Sequence, residues 1–491
     1  MKTSLSLLMV VGTALVSFTA CGTETKGTCE ETLSCGGTDG GGDVVIGADG
    51  GGDVVQPPAG CDQAAEPKDA PKCVVSEFGV FVDATNGADA NAGTKASPVK
   101  SITAALGKLG SKARVYVCEG TYAEHVKVTS AVSLYGGFAC SSWNYSGNKA
   151  KIAPPEVGYA LEIAGAKGAV VIADLSMLVV DAVAKGESSI AGFVHGSSDV
   201  LVLRSELLAG NGKEGVDGIG GATGTPTTGD LDGNSPVGVA PGLQKTCACT
   251  SGGSSTGGGG GAPSAGGGPG TPNFAGAASA GSGGLGSTGC TAAEPNGSGN
   301  DGANALPAAD APMSTALGIL SMTGWTSQPG ADGVGGGPGQ GGGGGGGLDG
   351  TKAGGSGGCG GCGGTNGKGG TGGGASVALL SLDSTVVLRG ATVTSKAAGA
   401  GGKGGAKGTG ANGGAGGPAN CSGGAGGRGG DGGSGGGGVG GVSAAILHKG
   451  PAPTNDGSTL TPGTKGAKGL GGTPGSNDGV EGQSAAMLAV Q

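Results

Sequence analysis

The sequence predicts an all-β solenoid, a stack of short coils interrupted by long glycine-rich inserts. Three observations carry that reading. Short strands rich in β-branched residues recur from residue 79 onward, at 115–117, 126–128, 132–134, 169–172 and 200–203, with Gly, Asn, Asp or Ser between them. The phrases repeat at a shift of 31 residues, which sets Ala160 on Ala191, Ile163 on Val194 and 169–172 on 200–203. Glycine supplies 125 of the 491 residues, where about 7% is usual. A repeat of this length cannot bury its own apolar face, so successive copies must stack.

The first 20 residues read as a secretory signal peptide. Lys2 gives the positive start, 5–18 the apolar stretch, and the small residues Thr19 and Ala20 precede Cys21. The 18–21 phrase resembles the lipobox of bacterial lipoproteins, a family in which the cysteine thiol is acylated and becomes the new N-terminus. The resemblance implies lipidation at Cys21 and a lipid-anchored place in the cell envelope, at the outer membrane or cell surface. Residues 21–72 read as an acidic, glycine-rich tether with a small repeat, GGGDVVIGAD then GGGDVVQPP.

From 73 to 208 the texture is that of a folded domain. SITAALGKL reads as a helix, with Ser101 as its cap and Ile102, Ala105 and Leu106 on one face. The run FVDATNGADANAGTKASPVKSITAAL, then VYVCEGTYAEHVKV and VSLYGGF, resembles the start of right-handed parallel β-helix proteins of the pectate-lyase-like superfamily, nearest to the DUF1565-type group. The resemblance implies that the helix covers the open end of the first coil and that Gly120–Glu124 turns between strands. The whole arrangement is similar to large surface lipoproteins of predatory, gliding deltaproteobacteria. On this scaffold the fold does not fix an activity.

Later copies follow. SVALLSLDSTVVLRGATV (376–393) matches 189–208 with a two-residue gap, which equates Leu203-Arg204 with Leu388-Arg389. The opening phrase recurs at 443–448 and 484–490. These give a coil at 375–395 and terminal coils at 443–491, separated by inserts at 209–374 and 396–442 and a loop at 449–483. Glycine runs bury almost nothing and lose much freedom on ordering, so the inserts are expected to be largely disordered loops leaving the solenoid at corresponding corners. The sharper alternative is a set of extended polyglycine helices, three residues per turn, bonded sideways through backbone amides. A collagen helix is excluded, because glycine keeps no strict Gly-X-Y frame and proline is sparse. The regularly placed Asp of calcium-binding glycine repeats is also missing.

Thirteen cysteines minus Cys21 leave twelve: Cys29, Cys35, Cys61, Cys73, Cys118, Cys140, Cys247, Cys249, Cys290, Cys359, Cys362 and Cys421. In an exported protein these are disulfide candidates, with Cys29–Cys35, Cys61–Cys73 and Cys118–Cys140 as neighbouring pairs and the overall connectivity open. Cys247-x-Cys249 and Cys359-x-x-Cys362 could hold zinc, but stapling disulfides are the preferred reading. Net charge is −9 with no basic patch, so nucleic acid is not an expected partner. The expected partners are a membrane, through the N-terminal lipid, and a polysaccharide or cell-surface matrix.

No cofactor and no metal site is expected. His125, His195 and His448 each stand alone, and Asp89-x-Asn91-x-Gly93-Thr94 reads as turn chemistry before calcium. Trp143 and Tyr145 read as packing in a turn. The expected function is structural, adhesive or matrix-interacting, without catalysis. The alternative is a polysaccharide lyase or glycoside hydrolase using carboxylates among Asp174, Asp181, Glu187, Asp199 and Glu206 with Arg204.

Overall fold

The computed structural model describes residues 58–227, 229–287, 289–290 and 295–491. The signal peptide, Cys21, Cys29, Cys35 and most of the tether lie outside the described residues.

Three parallel sheets form the walls of a β-helix. Sheet A stacks Gly79–Val82, Arg114–Cys118, Val132–Phe138, Val170–Ala173, Val200–Leu203, Val386–Arg389 and Thr454–Asp456. Sheet B stacks Thr121–Tyr122, Ala150–Ile152, Leu175–Leu178, Glu206–Leu208, Thr392–Thr394 and Thr459–Thr461. Sheet C stacks Val126–Val128, Leu161–Ala164, Ser189–His195, Ser376–Leu382, Ser443–Lys449 and Ser484–Ala489. The chain visits A, then B, then C on each coil, so every strand pairs with its counterpart one coil away.

The interior is a set of aliphatic columns. Val115, Leu134, Ile172, Val202 and Leu388 lie in register in sheet A. Ile152, Met177, Leu207, Val393 and Leu460 do the same in sheet B. Each buried aliphatic contributes on the order of 1.5–3 kcal/mol. The corners are built from left-handed residues. Gly165, Gly196, Asp383 and Gly450 turn from sheet C to A, and Asp174, Arg204, Gly390 and Gly457 turn from A to B, all at positive φ.

One end of the column is covered by helix α1 (Ile102–Gly107). Ser101 Oγ accepts from Ala104 N–H. Glu124 Oε1 and Oε2 accept from the Ile102 and Thr103 N–H groups at 2.8 and 3.0 Å. The Gly120–Glu124 phrase therefore serves α1 as well as the strand turn, because its final carboxylate satisfies two orphan donors.

The register refines the repeat. Leu161 and Ile163 pair with Gly192 and Val194 at the expected shift, but Val170 pairs with Val200 and Ile172 with Val202, one residue off. Likewise Leu203 pairs with Arg389, not Leu388. A one-residue slip inverts a strand's faces, and the left-handed corners absorb the difference. Residues 58–72, read as tether, are folded onto the β-helix: Cys61 is bonded to Cys73 and Glu66 to Arg204.

The glycine-rich segments correct the larger expectation. They leave at one corner, after a sheet B strand and before a sheet C strand, and they are ordered; the loop expected at 449–483 is shorter, because Thr454–Asp456 and Thr459–Thr461 complete the coil as strands of sheets A and B before it leaves. Gly212, Gly215, Gly218, Gly221 and Gly224 donate to the carbonyls of Ala397, Ala400, Lys403, Ala406 and Thr409 at 2.7–3.0 Å. Gly330, Gly333, Gly336, Gly339, Gly342 and Gly345 donate to Gly370, Gly367, Gly364, Gly361, Gly358 and Gly355 at 2.8–3.0 Å. Bonds at every third residue, with no positive φ among the glycines of 330–347 or 399–417, define extended helices of the polyproline II type. These rods pack side by side, parallel and antiparallel.

The run 341–347 is the centre of the array. Its amides donate to three rods, at Gly358 and Gly355, at Asn300 and Gly297, and at Thr271, Gly268 and Ala265. Its carbonyls accept from three others, at Gly258 and Gly261, Gly424, and Gly284 and Ser287. Six neighbours leave no direction for a side chain. A Cβ on Gly342, Gly343 or Gly344 would collide with the carbonyl oxygen of Gly424, Ser282 or Gly259, respectively. Glycine is required there by close approach of backbones, not by φ. At the edges only one or two of the three directions are blocked, which yields Gly-Gly-X or Gly-X-X.

Candidate functional site

The carboxylates singled out in the sequence do not converge. Asp174 and Glu66 are bridged by the Arg204 guanidinium, whose Nη2 lies 2.6 Å from an oxygen of each. Tyr145 Oη donates to Asp174 at 3.1 Å. Burial pulls the Arg204 pKa down, and its two carboxylate partners reverse this to hold it above the usual guanidinium value. The shared guanidinium clips the segment around Glu66 to the β-helix. Asp181 accepts from Asn211 N–H and Nδ2 at 2.8 and 2.9 Å, and these bonds hold its pKa below the usual carboxylate range. Glu187 Oε2 accepts from the Val183 and Ala184 N–H groups. Glu206 pairs with Lys149 and Ser176, and Asp199 is exposed.

The other candidates resolve into packing and turns. Asp89 Oδ1 accepts from Lys100 N–H, Ser101 N–H and Ser101 Oγ, as a turn carboxylate does. Trp143 is buried edge-on against Phe81 at 4.7 Å between ring centroids. His125 contacts the Tyr159 carbonyl, and His195 Nε2 lies 3.0 Å from Glu162. Among the described residues the one cluster of potential metal ligands is Asp83, Cys118 and Cys140, and those two sulfurs are joined in a disulfide.

All ten cysteines among the described residues are disulfide-bonded: Cys61–Cys73, Cys118–Cys140, Cys247–Cys359, Cys249–Cys362 and Cys290–Cys421. The double staple joins Cys-x-Cys to Cys-x-x-Cys for a geometric reason. Residues two apart share a side of the strand Lys245–Ala248, about 6.8 Å apart. Residues three apart share a side of an extended three-fold helix, about 9.3 Å apart. Each thiol pair then falls within Cα distances of 6.1 and 5.5 Å.

Two surfaces remain that the sequence did not reveal. Where the array joins the β-helix, the hairpin Gly318–Ser321 and Gly324–Ser327 packs Leu320 and Trp325 against the outer face of sheet C, beside Ile190 and Phe193. Between hairpin and coil lies an open groove of about 690 Å³ lined by Tyr159, Lys185, Ile190, Trp325, Thr326 and Pro329, among others. At the far end of the array, the turn 235–243 (SPVGVAPGL) exposes Val237, Val239 and Leu243 at 81%, 62% and 74%. Val237 and Ala240 exchange N–H···O bonds at 3.0 Å, and Gly238 takes φ of 61°. The lining of the groove comes from segments far apart in sequence, which only the insert's order brings together.

Residues 85–194 match the model of a family described as "Protein of unknown function (DUF1565)". That stretch runs from the turn before α1 to the third strand of sheet C. No curated protein matches the chain, and no solved structure matches it. No helix among the described residues is long and apolar enough to cross a membrane.

Proposed function

We propose that this is an exported, lipid-anchored surface protein with a structural, adhesive or matrix-interacting role and no catalysis. The observation that carries the reading is the glycine array. A chain segment with almost no side chains is held rigid by backbone bonds and disulfides, and at about 3.1 Å per residue the run 399–417 extends about 55 Å. Such a plank has one evident use, which is to hold loops at a distance from the β-helix. Loops placed by a rigid scaffold are where binding residues gather.

Cys21 would anchor the chain, and the acidic tether would separate it from the bilayer. The spread of the acids supports a non-catalytic role, since each one named above except Asp199 is engaged by cations or backbone amides. The test has two arms. Labelled palmitate should enter the wild type and not Cys21→Ala, and the purified protein should release neither unsaturated nor reducing ends from pectic or bacterial polysaccharides. Release of such ends, abolished by a single carboxylate substitution, would replace the reading with an enzyme.

A further inference from the structure

The two ends of the β-helix differ. At the first coil the outer edge of Gly79–Val82 is already taken: Phe81 N–H donates to Gly93 O and Val99 N–H to Phe81 O, at 2.9 and 3.0 Å. Helix α1 covers the column beside it, with Ile102 and Ala105 packed into the core. At the other end Thr454–Asp456, Thr459–Thr461 and Ser484–Ala489 are the last strands of sheets A, B and C. Among the described residues each pairs on one side only, with Val386–Arg389, Thr392–Thr394 and Ser443–Lys449 respectively. The core is cut open there. Val393 and Ile446 are fully buried, whereas Leu460 and Met487, their counterparts in the last coil, are only partly buried.

Free strand edges are commonly blunted by charge or proline. In these three strands only Asp456 is charged, and it is paired with Arg389 Nε at 2.7 Å. Pro451, Pro453 and Pro462 sit in the corners, outside the strands. Three edges around one core restrict what can cover them. A single extended peptide could pair with one strand, but the other two edges and the cut core would stay open. A surface offering three edges at the spacing of this coil is the end of another β-helix. The first coil of a second copy is sealed, so its last coil is the surface that matches.

We propose that two copies of this chain join tail to tail, edge on edge, about a two-fold axis through the middle of the Ser484–Ala489 strand. Such an axis sets 484–489 antiparallel to its own copy and exchanges sheets A and B. Thr454–Asp456 of one copy then faces Thr459–Thr461 of the other, three residues against three, and Asp456 meets Thr459 instead of a second Asp456. The edge amides and carbonyls pair across the junction as an antiparallel ladder, and Leu460 and Met487 of both copies complete a common core. The glycine array leaves each copy at the corner between sheets B and C, so the same axis puts the two arrays at different corners. The contact is isologous, and assembly stops at two. It needs neither a lipid at Cys21 nor an adhesive role.

Sedimentation equilibrium of the full chain should give a mass that rises to two chains and levels there. The midpoint of the strand lies between Ala486 and Met487, and Ala486 is exposed. Ala486→Glu and Ala486→Lys should therefore each weaken dimerisation roughly tenfold or more, by repulsion between like charges brought together at the axis. Mixed one to one, the two variants should recover the two-chain mass as a heterodimer. In the wild type, the 484–489 amides should exchange more slowly at concentrations where the dimer forms than where it dissociates, a readout that needs no variant. A chain that stays monomeric, a mass that passes two, a mixture as weak as either variant alone, or exchange independent of concentration would overturn the proposal.

Discussion

Three adjacent glycines in one rod offer a graded test of why glycine is there. A Cβ on Gly335 or Gly337 would meet nothing within 4 Å, while one on Gly336 would strike the carbonyl oxygen of Gly430. Relieving that clash means separating the 330–347 rod from the 423–442 rod. The bonds between them at risk are Gly430 N–H to Gly337 O, Gly433 N–H to Val334 O and Gly427 N–H to Gln340 O, at 3.0, 2.7 and 2.8 Å. At about 1 kcal/mol each, that is a loss of about 3 kcal/mol. Alanine returns about 0.4–1 kcal/mol by stiffening the unfolded chain. Gly336→Ala should therefore cost about 2 kcal/mol net, whereas Gly335→Ala and Gly337→Ala should stabilise by about 0.5 kcal/mol. Calorimetric melting of the three variants distinguishes the cases by sign. If all three shift the melt alike, the close-approach argument is wrong.

Other perturbations address separate parts of the molecule. Leu388→Ala, in the middle of a sheet A column, should cost about 2–5 kcal/mol, read by denaturant unfolding, and an effect below 1 kcal/mol would mean the column is not packed. Replacing Cys247, Cys249, Cys359 and Cys362 by serine removes both crosslinks that close this loop, spanning 112 and 113 residues, and the closure lost is worth on the order of 4–5 kcal/mol in chain-entropy terms. Proteolysis should then start in the hairpin near 245–257, and unchanged resistance would argue against the staple. The Gly471 and Gly475 N–H groups and Lys468 hold the Asp478 pKa down to about 2. Because the folded value lies below the unfolded one of about 3.9, its stabilisation is present above pH 4 and is lost as pH falls toward 2. Exchange of the 471–478 amides should accelerate across that window, and less so in Asp478→Asn, which keeps an acceptor; a flat profile would refute the assignment.

The β-helix was legible because its signals are local and side-chain borne. Alternating aliphatics mark the strands, Ser101 marks the start of α1, and the serine-led phrases at 189, 376, 443 and 484 stack as the repeat implies. Register was off by one at Val170–Val200 because the corner before that strand holds one residue more in one coil (165–169) than in the next (196–199). The order of the inserts was hidden for a different reason. Weighing burial of side chains gives glycine nothing, but the array is held by amide–carbonyl bonds between rods, and its signal was the three-residue cadence. Glycine at every position of 341–347 records six neighbours, and the spaced glycines of 212–224 record an edge. The groove had no sequence signal, since Tyr159, Lys185 and Trp325 meet only through the folded insert.

Amide hydrogen exchange over 330–347 and 399–417 tests the ordered array most directly. Protection of Gly341–Gly347 should equal that of the sheet A strands Val170–Ala173 and Val200–Leu203. Complete exchange of those glycines at the earliest time point, with the strands still protected, would show a β-helix carrying loose polymer instead.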